Sequence, residues 1–115
     1  MKALVVQSYQ RPFENPLSVS AGEGVNPNFD QSTAITGWVW CTAEDGRSGW
    51  TPEAWLIQSN GKWHLDRDYN AIELTVAVGE FLEIILEESG FYWARTENSE
   101  SGWVPCENVS VDQLN

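Results

Sequence analysis

An internal repeat restricts the fold more than any other feature of this chain. Residues 37–56, GWVWCTAEDGRSGWTPEAWL, align without a gap with residues 90–109, GFYWARTENSESGWVPCENV. Gly37 falls on Gly90, Trp40 on Trp93 and Glu44 on Glu97. Ser48-Gly49-Trp50 falls on Ser101-Gly102-Trp103, and Pro52 on Pro105. Upstream, PLSVSAGEGV (16–25) aligns with ELTVAVGEFL (73–82), and Ser8-Tyr9 with Asp68-Tyr69. Length differences between the copies fall only at the joints between these blocks, where loops on a shared scaffold vary. A chain of 115 residues would ordinarily be read as one domain. The repeat instead implies two small domains, residues 1–57 and 62–112. They are joined by a short polar turn at 58–62 with Asn60-Gly61 at its centre, so contact between the domains is expected.

Each copy reads as β-structure. Leu17-Ser18-Val19 and Leu74-Thr75-Val76 alternate with period two, and Phe81–Leu86 is apolar and β-branched. Trp38–Cys41 and Phe91–Ala94 are aromatic strands, each followed across a polar turn by Gly-Trp. That spacing is a hairpin, and it sets Trp40 opposite Trp50 and Trp93 opposite Trp103. No window has helical periodicity. Many short strands with Gly turns indicate all-β domains, two small barrels in tandem.

The order of blocks resembles the Src homology 3 (SH3) pattern. In that pattern an ALYDY segment is followed by a loop, a Gly-acidic block, an aromatic strand, and a Gly-x-x-Pro hairpin end. The resemblance covers nearly the whole chain twice, and is narrowest to bacterial tandem variant SH3 proteins. It implies a shallow aromatic groove that takes an extended, Pro-containing segment, with a loop carboxylate for a basic ligand residue. In the first copy the matching positions are Tyr9, Glu14, Trp38, Pro52 and Trp55. In the second they are Tyr69, Phe91 and Pro105. There the first loop is shortened, Arg67 stands at the other tyrosine, and Asn108 replaces the last aromatic. The second groove is therefore expected to be degraded.

Composition narrows the partners. The net charge of −11 disfavours nucleic-acid phosphate and anionic membrane surfaces, and favours a basic segment. Met1-Lys2-Ala3-Leu4-Val5-Val6 is too short an apolar run for a leader or a span, so a cytoplasmic protein with reduced Cys41 and Cys106 is expected. One histidine and two separate cysteines suggest no catalytic set, no metal site and no cofactor. The expected function is non-catalytic peptide or protein binding through the first copy. The alternatives are an assembly role, with tryptophans buried between domains or subunits, and a bacterial wall-peptide module.

Overall fold

In a computed structural model, which describes residues 1–30 and 36–111, the chain is all-β. Among the described residues twelve strands occur in order: β1 (Lys2–Val5), β2 (Ser18–Val19), β3 (Gly24–Asn28), β4 (Trp38–Ala43), β5 (Ser48–Pro52), β6 (Leu56–Ser59), β7 (Lys62–Leu65), β8 (Tyr69–Asn70), β9 (Phe81–Glu88), β10 (Phe91–Thr96), β11 (Ser101–Pro105) and β12 (Val109–Val111). Single 3-10 turns, Glu53–Trp55 and Cys106–Asn108, precede β6 and β12. Asp112, the last residue of the second expected domain, lies outside the described residues.

The strands form two five-stranded antiparallel sheets and one two-stranded sheet. One large sheet has the order β11-β10-β9-β1-β12, and the other β5-β4-β3-β7-β6. Strand for strand, these orders match through the sequence repeat. The expected barrels are observed here as sheets with open ends. Hydrogen bonding between the described strands does not join β11 to β12, or β5 to β6.

The compact units differ from the expected boundaries 1–57 and 62–112. One unit is residues 15–72. The other combines residues 1–14 with 73–115. Strand β1 therefore completes the sheet of the second repeat, pairing Ala3 with Leu82 of β9 and Val111 of β12. Strand β7 completes the sheet of the first, pairing Val25 with Trp63 and Leu56 with Leu65.

The reason lies in residues 58–62. Asn60 (φ 52°) and Gly61 (φ 76°) both have positive φ, the requirement of a two-residue type I′ hairpin turn. Such a turn matches the twist of the strands on either side and holds them in one sheet. Ser59 consequently pairs with Lys62, and Gln58 with Trp63. What looks like a linker is a hairpin, and β7 is retained by the unit that owns β6.

Each unit has its own core, built from equivalent positions. In the 1–14/73–115 unit it comprises Ala3, Val5, Leu74, Val76, Leu82, Ala94, Val104 and Val109. In the 15–72 unit, Leu17, Val19, Val25, Cys41 and Leu65 are buried at matching places. The burial of β1 alternates strictly, with Ala3 and Val5 inward, as a strand with one covered face requires. The expected tryptophan pairs form. Trp40 and Trp50 are register partners with ring centroids 5.0 Å apart at 72°. Trp93 and Trp103 repeat this at 5.3 Å and 72°. Edge-to-face contacts of this kind contribute about 0.5–1.5 kcal/mol each beyond their buried area.

Candidate functional site

The 15–72 unit gathers an aromatic cluster. Pairing of β4 with β5 sets Trp38 opposite Pro52. Pro52 then enters the 3-10 turn at φ −61°, the value its ring enforces. The turn brings Trp55 back to Tyr69, whose ring meets it edge-on at 5.6 Å and 85°. The Tyr69 hydroxyl donates to the Trp50 carbonyl at 2.7 Å, which fixes the ring. Trp38, Trp55 and Tyr69 are 6, 8 and 5% exposed.

A cation occupies this cluster. The Arg67 guanidinium carbon lies 3.9 Å from the centroid of the Trp55 ring. Its Nε and Nη2 donate to the two Asp66 carboxylate oxygens at 2.6 and 3.1 Å. These hydrogen bonds hold the Asp66 carboxyl below its ordinary pKa. The backbone N–H of Asp66 donates in turn to the Trp55 carbonyl at 3.1 Å, tying this loop to the 3-10 turn. The position that in the sequence marks a lost tyrosine is thus held by Arg67, stacked on Trp55.

The five first-copy positions do not share one unit. Trp38, Pro52 and Trp55 belong to residues 15–72, whereas Tyr9 and Glu14 belong to the other unit. Tyr69, assigned from sequence to the degraded groove, takes the tyrosine place beside Trp55. Within residues 15–72 the residues brought together are Tyr69, Trp38, Pro52 and Trp55. The exchange of β1 and β7 accounts for this, because each tyrosine follows the strand that leads into it.

In the 1–14/73–115 unit, Phe91 and Pro105 are register partners, as their counterparts Trp38 and Pro52 are. Asn108, at the Trp55 position, forms a clamp. Its Nδ2 donates to the carbonyls of Gln7 and Ser8, both at 3.1 Å, and its own carbonyl accepts from the Val6 and Gln7 N–H groups. That set holds the segment after β1 in place. Glu14, expected to meet a ligand cation, lies 3.4 Å from Arg11 of its own unit.

Glu73 opens the repeated block 73–82, but its place there, opposite Pro16, gives no sign of its contacts. The Tyr9 hydroxyl donates to its carboxylate, and Tyr9 and Val76 exchange backbone hydrogen bonds beside it. Burial raises the Glu73 pKa, against opposing contributions from the Tyr9 hydrogen bond and the nearby Arg11 charge. Burial, followed by the Glu73 hydrogen bond and charge, also raises the Tyr9 phenol. A carboxyl whose pKa is raised on folding favours the folded state most when protonated. The stability of the wild type relative to Glu73→Gln should therefore grow as pH falls through the raised value, and level off below the ordinary value of 4.5. Urea titrations of both proteins between pH 7 and pH 4 measure this. A constant difference would show that Glu73 does not titrate differently in the folded chain.

The remaining reactive groups are quiet. Cys41 is fully buried, and burial pushes its thiol up to about 11, so the nucleophilic thiolate is scarce at neutral pH. The Cys106 thiol is raised by its burial and by Glu87. Among the described residues no cluster of His, Cys, Asp and Glu could hold a metal ion. No described helix is long and apolar enough to cross a membrane. No family model matches the chain, nor does any curated protein or solved structure.

Proposed function

We propose that the chain is a non-catalytic interaction protein of two SH3-like units. The Trp38–Pro52–Trp55–Tyr69 cluster would receive an extended Arg-containing segment, with or without proline, from a protein partner. The observation supporting this reading is the guanidinium already seated on Trp55. A ring that accepts Arg67 with a carboxylate alongside can accept another guanidinium by the same cation–π and ionic chemistry. Overall acidity favours approach of a basic partner.

On this reading Arg67 competes with the partner. Arg67→Ala should tighten binding of an end-capped Pro-rich peptide containing one Arg by about two- to fivefold, the worth of one exposed cation–π contact. It should also increase quenching of Trp55 by acrylamide. Fluorescence titration compares the two proteins, with Arg→citrulline in the peptide as control. Unchanged or weaker binding would sink the reading.

The low exposure of Trp38 and Trp55 favours a second reading, an assembly role in which the rings serve packing. In that case neither protein binds the peptide, and Trp55→Leu alters the sedimentation behaviour of the chain.

A further inference from the structure

A second place in the 15–72 unit carries chemistry independent of the aromatic cluster. Strands β3, β4 and β7 lie side by side, and beside the β6–β7 turn they leave a cavity of about 250 Å³. That is far more than the roughly 10–15 Å³ needed for one water. Its lining includes Gly24, Asn26, Thr42, Glu44, Lys62 and Trp63. Register explains the grouping. Asn26 and Thr42 are partners across β3 and β4, Val25 and Trp63 across β3 and β7, and the type I′ turn delivers Lys62 to the same place.

Glycine makes the space. A Cβ on Gly24 would stand 3.3 Å from Oε2 of Glu44, so the carboxylate lies over the room a side chain would fill. Trp63 forms one wall and is steadied by an edge contact with Phe29, centroids 5.4 Å apart at 61°.

The charges in this lining are opposite and unspent. Among the described residues, neither the Glu44 carboxylate nor the Lys62 ammonium has an ion-pair or hydrogen-bond partner. A simple anion would meet Lys62 but be repelled by Glu44 and by the net charge of the chain. A simple cation would meet Glu44 but be repelled by Lys62. A neutral ligand would make no ionic contact with either group. A ligand carrying both charges satisfies both groups, while an apolar body lies against Trp63.

We propose that this cavity binds a small zwitterion, a free α-amino acid with an apolar side chain. Its ammonium meets Glu44 and its carboxylate meets Lys62. Asn26 and Thr42 supply further hydrogen-bonding groups at the rim.

Titration of the whole chain with L-leucine, followed by amide NMR, tests this. Saturable shifts should be confined to residues 24–26, 42–44 and 61–63. N-acetyl-L-leucine and L-leucinamide each lack one charge and should bind about tenfold more weakly, as loss of one charged contact implies. Glu44→Gln should abolish the preference for L-leucine over the N-acetyl form. Lys62→Gln should abolish the preference over the amide. Unchanged amide positions away from the cavity within 15–72, such as those of Leu17, Val39 and Tyr69, show that this unit remains folded in both variants. No saturable shift with L-leucine, or equal shifts with the blocked forms, would overturn the proposal. Because the peptide probe for Trp55 is capped at both ends, neither result bears on that cluster.

Discussion

A fragment spanning residues 15–72 should fold alone, and a fragment spanning residues 1–57 should not. The first contains every strand of the β5-β4-β3-β7-β6 sheet together with the β2–β8 pair. At about 60 residues it sits at the size where single domains still fold unaided. The second fragment includes β1 without β9 or β12, its sheet neighbours among the described residues. It also lacks β7, which stands between β3 and β6, so β6 has nothing to pair with. Fully buried Leu65 is lost as well. Cooperative guanidinium unfolding and dispersed amide NMR signals are expected for 15–72. Broad, non-cooperative behaviour is expected for 1–57. The exciton signal of the Trp40–Trp50 pair in circular dichroism should survive only in 15–72. The reverse pattern would restore the contiguous domain boundaries.

Gly49→Ala should lower the stability of the 15–72 unit by about 1–3 kcal/mol, the usual penalty for forcing atoms into a filled core. An added Cβ would stand 2.6 Å from the Ala71 Cβ and 3.3 Å from both the Cβ and the backbone nitrogen of Leu17. Ala71 and Leu17 are themselves buried, and the Ala71 N–H donates to the Leu17 carbonyl, so they cannot retreat separately. For a unit of this size, a melting temperature lower by about 4–8 °C per kcal/mol is expected. Ala71→Gly in the same chain should return part of the loss, since it removes the closest clash. Calorimetry of the single and double variants measures the coupling. Additive losses would show that the Cβ–Cβ approach is not the cause.

The fold was largely legible in the repeat. The Gly-Trp step, the two-residue alternation and the tryptophan spacing led directly to the β4–β5 and β10–β11 hairpins and to the Trp40–Trp50 and Trp93–Trp103 partners. Ownership of β1 and β7 was less evident. Both strands carry apolar or small residues at alternate positions, Ala3 and Val5 in one and Trp63 and Leu65 in the other, although Trp63 is only half-buried. Either can serve either sheet, so hydrophobic pattern alone does not choose. The deciding signal was local: Asn60-Gly61 between two short alternating runs is a hairpin turn before it is a linker. That reading moves Tyr69 beside Trp55 and assigns Tyr9 to the other unit. Arg67 and Asn108 were visible as departures from a family pattern. Their contacts with Trp55 and with the Gln7 and Ser8 carbonyls depend on neighbours that sequence order does not bring together.

The exchange of β1 also sets a timetable for synthesis. Residues 15–72 can close their sheet once β7 and β8 have emerged from the ribosome, because every partner they need precedes residue 73. Strand β1 is made well before the strands it joins: it waits for β9 and β12, with both hydrogen-bonding edges open meanwhile. At about 5–20 residues per second, translating the stretch from residue 72 to residue 111 takes on the order of seconds. During that interval the nascent chain carries a folded middle and an exposed Ala3-Leu4-Val5-Val6 segment, a natural landing place for a chaperone or for a neighbouring nascent copy.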